Sequence, residues 1–455
     1  MKYIWLVSLV AAMGGLLFGY DWVVIGGAKP FYEKFFQLTS SFQIGWAMSS
    51  ALVGCLIGAM LSGALSDKFG RKRLLIAAGF LFTLSAVGTA LSKTFDPFVI
   101  YRLIGGVGIG LASALSPMYI AEIAPAEIRG RFVSINQLTI VIGILAAQVI
   151  NWRIAQPVPE NATAEFIMNS WNGQVGWRWM FGAETIPAVL FFALMFVIPE
   201  SPRWLVKNGK NDIAAAILTK VGGETYSGAT MVHIQKTLEN ENSRVEFNEL
   251  LKPRVRIILG IGIFLAVFQQ WCGINVIFNY AEEVFSQAGY GVSDILLNIV
   301  ITGAVNLIFT FVAIYTVDRW GRRVLMLTGS GGLAIIYLLL GSGYFIGSQG
   351  IHMLFLVVTA IACYAMSLAP VTWVIISEIF PNRIRGAAMS IAVFSLWTAC
   401  FILTYSFPFL NRNLGAAGTF WIYAGICVIG FIFIKMQLPE TKGKTLEEIE
   451  RELTD

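Results

Sequence analysis

The chain has 455 residues, 56% of them hydrophobic and only 13% charged. A soluble domain averages about a quarter charged residues, so a surface this poor in charge belongs in lipid. The formal net charge of +5 follows membrane topology, as set out below, and gives no support to nucleic-acid binding.

Apolar runs of about 20 residues, the length needed to cross hydrocarbon, recur from end to end. In chain order they lie near 4–27, 42–65, 74–92, 96–118, 132–153 and 178–198, then near 256–279, 293–316, 324–346, 352–376, 386–408 and 417–437. The first run continues past Gly19 without a small-residue cleavage site, so it reads as a retained span and not as a signal peptide. The expected fold is an all-α membrane protein of twelve transmembrane helices in two six-helix bundles. Residues 1–200 form the first bundle, 201–255 a cytosolic helical linker, 256–437 the second bundle and 438–455 a cytosolic tail. In the linker, the patterns starting at Asp212 and Glu246 predict short amphipathic helices, and Leu446–Leu453 has helical spacing in the tail.

With the N-terminus in the cytosol, 25 of the 32 Lys and Arg residues fall in cytosolic segments, six in external ones (Lys29 among them), and Arg102 inside a span. The positive-inside rule then places both termini in the cytoplasm of a plasma (inner) membrane protein. Cys55, Cys272, Cys363, Cys400 and Cys427 all lie in spans as small apolar packing residues. His233 and His352 are isolated, so neither a metal site nor a bound cofactor is expected. No nucleophile–base pair or phosphate loop points to an enzyme.

The halves repeat one another. Gly63-Ala-Leu-Ser-Asp67-Lys-Phe-Gly70-Arg71 is matched by Val317-Asp318-Arg319-Trp-Gly321-Arg322. Glu122 through Arg129-Gly130 is matched by Glu378 through Arg385-Gly386, and Pro199-Glu200 by Pro439-Glu440. Paired repeats are how transporters build a site that two halves rock around.

These stretches, with Arg102-x-x-Gly-Gly-x-Gly-x-Gly110, Pro199-Glu-Ser-Pro-Arg-Trp204 and Gln269-Gln270-x-x-Gly273-Ile-Asn275, resemble the sugar porters of the major facilitator superfamily over essentially the whole chain. Within that family the likeness is to bacterial xylose–proton symporters, and more distantly to animal glucose facilitators. The resemblance implies alternating access to a monosaccharide, a pentose or hexose with xylose favoured. It also implies that the charges at the cytosolic face, Asp67, Arg71, Glu122, Arg129, Asp318, Arg322, Glu378 and Arg385, form latches between helices. The alternative for these charges is an orientation signal alone.

Asp21, toward the outer part of the first span, is the sharpest residue. A carboxylate at bilayer depth costs about 2.5–3.5 kcal/mol on insertion scales, so such a group usually faces a cavity and carries an ion or proton. The competing reading is a solvated position near the outer interface. Arg102 is its natural partner, since an adjacent guanidinium favours the ionised carboxylate and its departure favours protonation. Family symporters carry an Asp and an Arg here, whereas the animal facilitators have a neutral residue in place of the Asp, so the retained Asp21 favours proton symport. Glu184 either modulates that relay or bonds the cytosolic loops. Gly106 and Gly110, four apart, read as close helix packing.

Sugar recognition needs uncharged donors and acceptors beside flat apolar faces. Gln137, Gln269, Gln270, Asn275, Asn306, Trp373 and Trp397 supply these within spans, and Phe18 matches a family aromatic near the sugar. Any one amide could instead be glue between helices. Gly273 is placed to loosen the seventh span as a gate. Three positions depart from the bacterial xylose pattern: Ile144 and Leu396 stand where it has Gln, and Asn279 where it has Tyr. The alternatives to symport are a uniporter of the same fold and a sugar sensor. Expected partners are the sugar, protons and the bilayer, with nothing requiring more than a monomer.

Overall fold

The computed structural model describes residues 2–125, 128–159, 162–241, 252–380 and 384–442, and the regular elements among them are helices. Eleven segments are long and apolar enough to cross a membrane. The last of them, Ala387–Gln437, has 51 residues, about 77 Å at 1.5 Å per residue, which is far more than one crossing needs. It contains one non-helical residue, Gly415 (φ 66°, ψ 178°), in the gap left between the last two expected spans. Split there, the described residues supply twelve crossings.

The first five helices are α1 (Lys2–Phe35), α2 (Ser41–Phe69), α3 (Arg71–Leu91), α4 (Phe95–Ile123) and α5 (Arg129–Ile154). Helix α1 runs eight residues past the predicted end of the first span, straight through Pro30. Asp21 therefore sits near the middle of its helix and not toward the outer part.

The sixth span is composite. After the short α6 (Ala164–Asn169) comes a π turn (Asn172–Gly176), then α7 (Trp177–Gly182) and α8 (Thr185–Val197). Pro187 has no N–H to offer the carbonyl of Ala183, so the helix breaks there and Glu184 becomes the cap residue just ahead of α8. The linker forms α9 (Pro202–Lys207), α10 (Asn211–Gly222) and α11 (Glu224–Glu241). Helix α10 is the one expected from Asp212, and its Ala214 and Ile217 pack on Trp204 and Leu205. The helices expected near Glu246 and Leu446 lie outside the described residues.

The second half comprises α12 (Pro253–Trp271), α13 (Ile274–Asn279), α14 (Ala281–Gln287), α15 (Val292–Trp320), α16 (Arg322–Phe345), α17 (Ile351–Ala365), α18 (Leu368–Glu378) and α19 (Arg385–Gln437). Gly273, at φ 88°, separates α12 from α13. An L-residue pays steeply for that backbone, and the gate position expected from sequence is the point where the seventh span breaks.

The chain forms two compact units. One comprises residues 1–24, 50–147 and 178–244, and the other 25–49, 148–177 and 245–455. In the first, α4 lies close against α2 because both present glycines: a methyl on Gly106 would meet the Ala51 carbonyl, and one on Gly110 the Cys55 carbonyl. Gly106→Val is expected to destabilise the protein by about 1–3 kcal/mol, the usual cost of overpacking, read as a lower Tm in detergent. In the second unit the C-terminal end of α1 and the N-terminal end of α2 pack with second-half helices. Phe42 stacks edge-on against Phe409 at 4.6 Å, and Gly26 abuts the carbonyls of Phe278 and Asn279.

Candidate functional site

The first unit holds a buried charge centre. Asp21 and Arg102 are each 2% exposed and directly paired through Oδ1 and Nη1. Arg102 Nη2 also donates to the Asp21 backbone carbonyl at 3.3 Å, and the guanidinium lies 5.6 Å from the Phe181 ring centre. Gly105, one turn along α4 from Arg102, leaves room for the carboxylate: a methyl there would stand 3.3 Å from Asp21 Oδ2. The reading of Asp21 as solvated at an interface is excluded by this burial.

Glu184 is equally buried and faces the Asp21 carboxyl. It does not reach the loops, so of its two expected placements the one beside the Asp21–Arg102 pair is observed. Asp21 Oδ2 and Glu184 Oε1 are both buried without a hydrogen-bond partner. A single hydrogen between two carboxyls can serve both, which makes this a place where one proton is worth binding. Tyr20, next in sequence, is anchored by its hydroxyl to the Met180 carbonyl at 3.1 Å, holding α1 against α7.

The second unit holds the amides. At the end of α12, Gln270 Nε2 donates to Gln269 Oε1 at 2.8 Å and Asn275 donates to Gln270 Oε1, while Gln269 Nε2 donates to the Ala369 carbonyl at 3.5 Å. Three of the sequence-predicted sugar residues thus form one chain, brought together by the break at Gly273. Asn306 is buried on α15 and Trp397 on α19, but Trp373 on α18 is 38% exposed. In the first unit, Phe18 is half-buried against Trp22, and Gln137 is half-buried on α5.

The repeated loop motifs build matching clusters, one in each unit. In the first, Arg71 reaches Asp67 at 3.2 Å and Glu122 at 3.0 Å, and Lys207 also meets Asp67. In the second, Arg322 reaches Glu378 at 3.2 Å. Arg129 is exposed, while the side chains of Asp318 and Arg385 lie outside the described residues.

Sequence reading used Glu200 and Glu440 only as repeat markers, yet each caps a helix. Glu200 accepts from the backbone N–H of Arg71 and Lys72, both at 3.0 Å, and Glu440 from those of Arg322 and Arg323 at 2.9 and 3.1 Å. The first turn of a helix offers unpaired N–H groups and a positive dipole end. Gly70 and Gly321, at φ 94° and 90°, turn the chain so that the carboxylate fits. The signal was available: a Glu at the same place in each repeat, matched to a Gly-Arg start.

A second missed group lies at the opposite end of the second unit. Lys29 Nζ meets Glu33 at 2.7 Å, Glu282 at 2.9 Å and Glu283 at 2.8 Å. Lys29 was expected in an external segment. It is instead 3% exposed within α1, so Arg102 is not alone among basic residues inside a span.

The comparisons with known proteins agree with this architecture. The family model described as "Sugar (and other) transporter" matches residues 7–453. The chain is similar to the D-xylose-proton symporter of Escherichia coli K12, at 41% identity over 480 residues, 99% of this chain and 95% of that one. It is similar to the arabinose-proton symporter of Bacillus subtilis, also at 41%, covering 99% and 95%. Among solved structures, a partially occluded inward-open conformation of the E. coli xylose transporter matches with a TM-score of 0.85 and 39% identity over 98% of this chain and all of that one. The chain belongs to the sugar transporter family of the major facilitator superfamily.

Proposed function

We propose that the protein is a proton-coupled monosaccharide symporter working by alternating access, with a xylose-like pentose or hexose as substrate. The observation that carries this reading is the buried Asp21–Arg102 pair with Glu184 beside it. A membrane-buried carboxylate is costly, and a facilitator has no need of one. Asp21 binds the proton, Arg102 competes with it, and Glu184 tunes the exchange.

The amide chain of Gln269, Gln270 and Asn275, with Asn306 and Trp397, grips the sugar hydroxyls and its apolar faces. Phe18, Gln137 and Trp373 join that set from sequence alone. The halves 1–200 and 256–437 are the moving bundles, joined by 201–255 and followed by the tail 438–455. The Asp67–Arg71–Glu122 and Arg322–Glu378 clusters, with Arg129, Asp318 and Arg385, latch the loops. Both termini face the cytoplasm, as the basic asymmetry supports, and the working unit is a monomer.

Counterflow and net uptake in proteoliposomes, with a panel of pentoses and hexoses and with or without an inward proton gradient, test the reading. Accumulation of a pentose or hexose above the external concentration only with the gradient is expected. Equilibration without accumulation under every gradient makes the protein a uniporter, and counterflow of no sugar ends the reading altogether.

A further inference from the structure

Gln148 stands apart from every other polar side chain among the described residues. It is 2% exposed, and its amide nitrogen and amide oxygen are both buried without a hydrogen-bond partner. No other side chain among the described residues has two such atoms. A buried amide that makes none of its bonds is expensive, at about 1–3 kcal/mol for each orphaned group. A protein keeps such a residue where something else completes it.

Helix periodicity says where that amide points. Gln148 follows Gln137 by 11 residues and Ile144 by four, so at 100° per residue the three lie within about 20° of one face of α5. On the side of α5 that packs on α1, Gly143, against Leu16 and Tyr20, lies about 140° round from Gln148, and Asn151, against Gly27, about 60° round. The amide therefore lies off the middle of the α1–α5 contact. It continues outward the polar face that Gln137 opens, beyond the apolar Ile144.

A second unsatisfied amide lies nearby in the fold. Asn279, at the end of α13, is buried with Oδ1 unpartnered. Its backbone carbonyl abuts Gly26 of α1, while Asn151, three residues on from Gln148, abuts Gly27. Two adjacent glycines of α1 are thus flanked by the two helices that carry the unsatisfied amides. Glycine at both positions lets those helices approach.

We propose that Gln148 is a sugar-binding residue that sets which hydroxyl pattern is accepted, with Asn279 supporting it. The ligand chemistry is that of a polyol: a hydroxyl both donates and accepts, as an amide does, so one or two sugar hydroxyls satisfy both orphan atoms without any charge. This rests on the symporter reading above and adds a residue to it.

The test uses the purified full-length protein with D-xylose, D-glucose and their monodeoxy analogues, comparing wild type with Gln148→Leu by isothermal titration and thermal unfolding. Loss of one buried sugar contact is expected to weaken the parent sugar about tenfold. The one analogue lacking the contacted hydroxyl should bind both proteins equally, and the other analogues should keep their wild-type ratios. The sugar-free variant is expected to melt at or above the wild-type temperature, since it loses an unsatisfied amide.

Wild-type affinity in Gln148→Leu, with every analogue ratio unchanged, overturns the assignment and leaves water as the occupant. A lower Tm with uniform weakening of every analogue also overturns it, making Gln148 helix glue. In both cases the symporter reading survives, because wild type still binds sugar. If wild type binds none of the panel, that reading falls and this one with it.

Discussion

Asn in place of Asp21 is expected to abolish concentrative uptake while leaving sugar exchange intact. The substitution keeps the size of the side chain and an oxygen to accept from Arg102, so the helix contacts in the first unit persist. It removes the only charge on α1 that pairs with Arg102, and with it the proposed proton site. An adjacent guanidinium favours the ionised carboxylate, and separation of the two lets the proton in. On the proposed assignment, motion that parts α1 from α4 becomes proton uptake, and reclosure becomes release. Without a titrating group at position 21 the cycle runs on sugar alone. In proteoliposomes with an inward proton gradient, internal sugar should stop at the external concentration, while counterflow stays within a few-fold of wild type. Arg102→Met is expected to be far worse, since it leaves Asp21 and Glu184 facing each other with no counter-charge. Breaking a buried pair from one side costs about 3–5 kcal/mol. Full accumulation by Asp21→Asn would move the coupling site elsewhere.

What the sequence disclosed, and what it hid, follows from the range of each interaction. Span count and repeat boundaries depend on local composition, and even the Gly273 break was legible because a glycine between amides weakens a helix wherever it occurs. The depth of Asp21 was misread because the first span was ended near residue 27, where the apolar run thins. A proline late in a helix removes only one bond when the preceding turn can yield, so α1 continued and moved Asp21 to mid-helix. The pairing of Asp21 with Arg102, across 81 residues, came from chemistry alone: two opposite charges in an apolar chain have few other partners. Glu200 and Glu440 were seen only as text, since capping a distant helix leaves no periodicity in the sequence. Lys29 was counted as a loop cation because positive-inside counting treats any lysine near a span end as solvated. Gln148 gave no signal at all, because an amide that lacks a partner is a fact about its neighbours.

Lys29→Met is expected to loosen the far end of the second unit more than any other single change there. Three carboxylates, Glu33 from α1 and Glu282 and Glu283 from α14, close on one ammonium at 2.7, 2.9 and 2.8 Å. Lys34 adds a weaker contact to Glu33 at 3.6 Å. Removal of the central cation leaves like charges packed together, a penalty of about 3–5 kcal/mol for a buried group stripped of its partner. The pH dependence has a definite sign. Burial pushes Glu283 up to about 7, with Lys29 opposing the rise and Glu282 adding to it. When α1 and α14 part, Glu283 returns toward the ordinary carboxylate range. Between that range and pH 7 the closed cluster holds a proton that the parted one has released. The contact therefore weakens as pH rises through this window, by at most about 1.4 kcal/mol per pH unit, and levels off above it. In Lys29→Met the carboxylates depend on protonation still more. The fall in Tm should be large at pH 7.5 and smaller at pH 5, and Glu283→Gln in the same background should recover part of it. Hydrogen exchange should quicken in residues 29–35 and 281–287 and stay unchanged around Arg102. A variant that melts like wild type at pH 7.5 would mean that apolar packing, such as Phe42 on Phe409, holds this end closed, with the charge cluster following the contact and not making it.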